Sequence, residues 1–208
     1  MAGTEAWAPP GKDCGACGAR TCDDFVVLVE DGTRTAAECC FFQAGGTKPA
    51  PVSSYSGTDV AGKEYDFVLL PLPNEPSARK FVVPFRADLV ERWGIGPGDI
   101  VTGRPAGPGC PVYHALRVLA ANPVTGVLAC HTVGPAYSRD REVHDVQAYH
   151  VHAFEGLART IRAPPTLGLR QRFLPGLCML DLGHTALVNM VLHKEFGTHV
   201  RLEDIRIL

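Results

Sequence analysis

The pattern Cys14-x2-Cys17-x4-Cys22-x16-Cys39 constrains this chain more than any other feature, because it crowds thiols into a stretch with little else to fold around. Five of the eight cysteines fall between Cys14 and Cys40, and the only nearby run able to pack as a regular element is Asp23 to Glu30, whose two leading aspartates suit a helix start. A segment this small cannot bury a core of its own, so its order must come from a bound metal centre. In a cubane iron-sulfur cluster each thiolate holds one corner iron, and a loop that gives three ligands from one side and a fourth from elsewhere meets that demand. Gly15 and Gly18 beside two of the cysteines permit the tight turns that such wrapping needs. Amides in the loop can point at the sulfides and tune the potential. The same four thiolates could instead hold a structural zinc, although zinc knuckles usually present two C-x2-C pairs and this segment has one. A disulfide framework is the third reading, disfavoured in a reducing compartment.

The string Cys14-Gly-Ala-Cys17-Gly-Ala-Arg-Thr-Cys22-Asp-Asp-Phe25 closely resembles the four-cysteine domain of the corrinoid iron-sulfur protein large subunit and of the Rnf complex B subunit. The resemblance covers roughly the first forty residues, agrees in spacing and in both glycines, and departs from the bacterial and plant-type ferredoxin patterns. It implies a [4Fe-4S] cluster held by Cys14, Cys17, Cys22 and Cys39. Cys40 could supply the fourth thiolate, and the family's spacing favours Cys39. The chain is too short for the corrinoid-carrying domains, so no cobalamin role within it is expected.

Composition sets the remaining bounds. With 208 residues, 46% hydrophobic and 20% charged, the rest of the chain has room for a real core. The net charge is -2 with both signs interspersed, so no basic patch is available for nucleic acid or an anionic membrane. Phe67 to Leu72 and Gly176 to Leu182 are the longest apolar runs, far short of the roughly 20 residues a spanning helix needs. Met1 to Pro10 has neither the basic nor the apolar region of a signal peptide, and a cytoplasmic location without membrane insertion is expected.

The chain reads as an α+β protein: a small iron-sulfur domain over residues 1–45, a connector over 46–76 rich in Gly, Pro, Ser and Thr, and a β-rich domain over 77–208. The last is expected to be a mainly antiparallel barrel or sandwich with a few helices. Strands are expected at Tyr65 to Leu70, Lys80 to Phe85, Asp99 to Arg104, Tyr113 to Ala120, Gly126 to Val133 and Val200 to Leu208. Ala121 to Gly126 should form a hairpin loop, and Ala87 to Trp93 a short helix. Gln147 to Arg162 and Gly183 to Phe196 carry helix-compatible spacing. A fragment starting near Pro76 is expected to fold alone.

Chemistry beyond the first forty residues is less sharply signalled. The loop Gly103 to His114 is dense in Gly and Pro and can bring backbone close to a ligand or a partner's cofactor. Cys110 with His114, and Cys130 with His131, are candidates for a second metal site, against the plainer reading of Cys130 as a small core residue. Arg139, Tyr149 and His150 could meet an anion, and His150 and His152 would share one face of an alternating strand beyond His144. Cys178, among apolar neighbours ahead of His184, should have a raised pKa and be inert. No nucleophile elbow, P-loop or dinucleotide fingerprint is present, whereas a flavin site needs no short motif.

Together these features lead to the expectation of electron transfer to or from a partner redox enzyme or complex subunit in anaerobic metabolism, more an electron-transfer subunit than a catalyst in its own right. Two alternatives stand beside it: an enzyme subunit with a flavin or second metal in the β-rich domain, and an accessory factor that assembles or activates another protein's metallocofactor.

Overall fold

The computed structural model describes residues 17–39, 55–138, 141–176 and 180–207, together with Pro9 and Cys178. Cys14, Cys40 and Arg139 lie outside them.

The cysteine segment contains the expected helix, α1 (Cys22–Glu30). Thr21 caps it from an extended conformation, its hydroxyl accepting the Asp24 N–H at 3.0 Å, and Asp23 and Asp24 face the positive end of the helix dipole. A single turn of tighter helix, Ala36–Glu38, follows, with the Glu38 carboxylate accepting the Thr35 N–H at 3.0 Å.

The other described residues form one mixed sheet of nine strands: β1 (Phe67–Leu70), β2 (Arg79–Pro84), β3 (Ile100–Pro105), β4 (His114–Ala121), β5 (Leu128–Val133), β6 (Val143–Thr160), β7 (Arg170–Pro175), β8 (His184–Lys194) and β9 (Gly197–Ile207). A short helix α2 (Asp88–Arg92) joins β2 to β3. The spatial order is β1-β7-β8-β9-β6-β2-β5-β4-β3, and both end strands also pair with β6. The sheet therefore does not roll into a single barrel; its two halves each curl back onto the 18-residue β6. The first part of β6 is flanked by β3 and β2, the last part by β9 and β1. Only β1–β7 and β3–β6 are parallel among the named pairings, as the expectation of a mainly antiparallel fold requires.

Six expected strands and the short helix appear within a few residues of their expected bounds. In the hairpin after β4 the Asn122 side chain accepts the N–H groups of Val124 and Thr125, at 3.0 and 3.1 Å. Gly126 closes that turn at φ +71, with Ala87 so near that a side chain there would collide with it.

The two helices expected at 147–162 and 183–196 are instead β6 and β8. The cause is bulges. β6 carries an unpaired Val146 opposite Thr102 and Gly103, and an unpaired His152 opposite Phe81 and Val82. Each bulge inserts one residue and resets the alternation, so buried Val146, Tyr149 and Ala153 fall three and four apart, which imitates a helix. β8 carries a like insertion at Asn189, and near Ala186 its register shifts again with the extra residue on β9.

Two cores result. One gathers Val82, Val101, Leu116, Leu128 and Tyr149 between β2 to β6 and α2, and the other gathers Phe67, Phe154, Phe173, Val188 and Leu202 from β1 and β6 to β9. Val151 on β6 packs against both. The segment 46–76 contributes β1, and Tyr65, Phe67, Val68 and Leu69 within it are at most 1% exposed. Among the described residues no helix is long and apolar enough to cross a membrane.

Candidate functional site

Three of the four expected ligands are among the described residues. Gly18 sits at φ +90, a left-handed turn directly after Cys17 that a side chain would resist. Cys22 opens α1, and Cys39 follows the single turn 36–38, its N–H donating to the Ala36 carbonyl at 3.1 Å. Buried Phe25 packs with Ala19 and Cys39, and Cys17 leans against the same cluster. The segment thus brings Cys17 and Cys39 around one aromatic anchor with Cys22 at the adjoining helix start. Cys17, Cys22 and Cys39 do not converge as a three-ligand metal group among the described residues, so the support for an iron-sulfur cluster is their spacing and local geometry. Cys14, the fourth, and Cys40, its neighbour-in-waiting beside Cys39, lie outside the described residues.

A cavity of about 370 Å³ lies beside this segment, at the junction of the two cores. Arg20 and Thr21, between Cys17 and Cys22, form part of its wall. Its opposite sides come from the β3–β4 loop, through Pro108, Cys110 and Tyr113, and from the β7–β8 loop, through Gly176, Cys178 and Leu180. The Gly103 to His114 loop was expected near a ligand, and it does line the cavity. Its position is fixed by the Ile207 N–H, which donates to the Pro108 carbonyl at 3.0 Å.

At the inner end lies Lys80, 6% exposed, on the core-facing side of β2 with Val82 and Pro84. Its ammonium is 3.2 Å from Nδ1 of His114 and 5.4 Å from the centre of the Phe154 ring. The Tyr149 hydroxyl meets the same His114 nitrogen at 2.9 Å. Two donors converging on Nδ1 make it the acceptor and leave the imidazole proton on Nε2. Burial, together with the Lys80 and His184 charges, drives the His114 pKa down to about 2, so the ring is neutral at ordinary pH. Burial likewise lowers Lys80 to about 8 and raises Tyr149 well above a phenol's usual value. His184, whose Nδ1 donates to the Leu182 carbonyl at 2.9 Å, is lowered by burial to about 4. Cys110, Cys130 and Cys178 all lie near enough to act electrostatically on Lys80.

The structure therefore assembles residues that were singled out separately in the sequence: Cys110 and His114 from one loop, Cys178 and His184 from another. Cys130 is fully buried in the β5 face of the core and burial pushes its thiol up to about 12, in keeping with a small core residue. Cys178 is also raised by burial, as expected for a thiol among apolar neighbours. Among the described residues no three His, Cys, Asp or Glu side chains come together with metal-holding geometry. The remaining candidates are elsewhere. His131 Nε2 lies 3.1 Å from the Glu75 carboxylate, which also pairs with Arg79. His144 stacks on Trp93, His150 packs on Phe85, and His150 and His152 are both exposed, the latter on its bulge. Tyr149 points inward to His114 rather than outward with His150. Lys80 is the residue that sequence reading passed over; the signal available was its phase, since β2 alternation places it with Val82.

The β7–β8 loop is held by Asp59, whose Oδ2 accepts the Gly183 N–H at 2.9 Å and the Arg172 guanidinium at 3.0 Å. Burial alone would raise this carboxyl, but the N–H groups of Gly183 and Lys63, the Arg172 guanidinium and the Ala61 N–H outweigh it and hold the pKa at about 2.

Comparison with known proteins fits this division. Residues 10–41 match the family model described as "Putative Fe-S cluster", a span that includes all five clustered cysteines. Over 213 aligned residues the chain is 29% identical to an uncharacterized protein of Methanocaldococcus jannaschii, covering 94% of this chain and 88% of that one. Coverage that high takes in the cysteine segment and the sheet together. No solved structure matches. The chain thus carries an iron-sulfur domain ahead of a mainly β region that neither the family model nor any solved structure covers.

Proposed function

We propose that this protein is a one-electron carrier whose [4Fe-4S] cluster, held by Cys14, Cys17, Cys22 and Cys39, exchanges electrons with a partner redox enzyme in anaerobic metabolism. One observation supports it above the others: the Cys14-x2-Cys17-x4-Cys22-x16-Cys39 spacing, with Cys17 and Cys39 packed beside Phe25 and Cys22 at the start of α1, in a small segment with no core large enough to stand alone. When bound, the cluster supplies reversible one-electron chemistry. The chain's own residues position it: α1 directs amide dipoles toward Cys22, and Phe25 excludes water beneath Cys39. The test is anaerobic purification with metal and sulfide analysis, followed by reduction. Iron and acid-labile sulfide in near-equal amounts, about four of each per chain, with an S = 1/2 signal on reduction, are expected. Stoichiometric zinc from iron-replete anaerobic cells would overturn it.

A second reading, an enzyme subunit whose β-rich region holds its own ligand, is favoured by a specific observation. Arg20 and Thr21, inside the cysteine loop, share a cavity wall with Lys80, His114 and Cys178. A ligand in that cavity would lie against the cluster loop, close enough for direct electron exchange. A chromophore released on denaturing the anaerobically purified protein would favour this reading over a simple relay.

A further inference from the structure

The cavity's charges are one-sided. Arg20 and Arg117 stand exposed at its rim and Lys80 lies buried within it, whereas no Asp or Glu is among its described wall residues. The whole chain has net charge -2, so this excess of positive charge is local and not a reflection of overall composition. None of the three cations has a carboxylate partner among the described residues; the ion pairs there are made by other arginines, such as Arg79, Arg172 and Arg201. A buried ammonium has three protons to donate, and among the described residues Lys80 meets one imidazole nitrogen and one ring face. An isolated buried charge is costly, and the arrangement becomes favourable when an opposite charge enters with it. The walls around the cavity include apolar Leu69, Val151 and Phe154, the last with its ring face toward Lys80. The volume of about 370 Å³ falls at the small end of ligand sites, too small for a dinucleotide.

We propose that this cavity is a binding site for a small organic anion with a flat apolar body, its charged group on Lys80 and its ring against Phe154. Arg20 and Arg117 attract the anion to the mouth, and Lys80 fixes its orientation. This goes beyond the electron-carrier reading and does not depend on it.

The test uses the full chain with its cluster and two fluorescent probes of nearly the same shape. One is the aromatic anion 1-anilinonaphthalene-8-sulfonate; the other is N-phenyl-1-naphthylamine, the same body without the sulfonate. The expected result is one bound anion per chain, at least about tenfold tighter than the neutral probe. Lys80→Met should abolish that preference while leaving the neutral probe's affinity unchanged, and Lys80→Arg should restore most of it. Inorganic phosphate, which lacks the apolar body, should displace the anion poorly. Equal affinities of the two probes for the wild-type protein, or an unchanged anion affinity in Lys80→Met, would overturn the proposal. Should Lys80→Met fail to fold, the wild-type ratio of the two affinities alone decides. Neither probe exchanges electrons, so this result is separable from any failure of the cluster to carry them.

Discussion

The Lys80 ammonium stands 3.2 Å from a histidine nitrogen, Nδ1 of His114, that is already accepting the Tyr149 hydroxyl. A buried cation here leans on a neutral imidazole, where most buried lysines would meet a carboxylate. It lies on β2 between β5 and β6 and lines the cavity.

In the absence of ligand, Lys80 should therefore cost the protein stability. With the folded pKa at about 8 against an ordinary 10.5, the unfolded chain binds the proton more tightly. The penalty is complete below pH 8, about 3 kcal/mol as an upper figure, and fades as pH rises from 8 to 10.5. Lys80→Met should thus be the more stable protein in urea at pH 7 by about 1–3 kcal/mol, with the gap closing near pH 10.5. A Lys80→Met protein less stable than wild type at pH 7 would mean that the ammonium has found a stabilising partner.

His184 predicts the acid side. Burial holds it at about 4, against 6.5 for a free imidazole, with its Nδ1–H committed to the Leu182 carbonyl. The folded state takes up this proton later than the unfolded one, so stability falls as pH drops from 6.5 to 4. Stability curves at several pH values should show His184→Gln with a flatter slope over that interval, the difference reaching about 3 kcal/mol at most. Identical slopes would place the acid sensitivity in other groups.

The fourth thiolate can be assigned by serine substitution. Cys39→Ser should lose most of the iron and sulfide, because Cys39 packs with Phe25 and Cys17. Cys40→Ser should retain nearly all of both. The reverse outcome would move the ligand by one residue.

Strand β1 sets where a cluster-free fragment can begin. Phe67, Val68 and Leu69 are fully buried and pair with both β6 and β7, and Gly156 leaves no room for a side chain under the Leu70 carbonyl. A fragment from residue 55 should give a cooperative thermal transition without iron. One from residue 77 loses β1 and several buried side chains at roughly 1.5–3 kcal/mol each, and should be unfolded or aggregated by circular dichroism. This modifies the expectation that a start near Pro76 suffices.

The cysteine loop was legible because ligand spacing is written in consecutive residues, where Gly18 and the Thr21 cap carry their own local geometry. β2 to β5 were legible because they are short β-branched runs set off by Gly and Pro, with Asn122 and Gly126 marking the hairpin, although β4 itself carries an extra residue at Leu119. β6 and β8 were not, since bulges at Val146, His152 and Asn189 turn period two into a false helical period. The cavity was legible only in fragments. Cys110, His114, Cys178 and His184 each attracted notice, but their meeting at Lys80 depends on strand order, which no local pattern encodes.

β6 has a consequence for heredity as well as for folding. Because one strand is the wall of two cores, with Val151 touching both, neither half of the sheet can be lost, exchanged or duplicated without unmaking the other. A recombination break anywhere between β1 and β9 would leave β6 with a bare edge, so the β-rich region should pass between genomes whole. The small cysteine segment, outside that shared wall, is not bound by the same constraint.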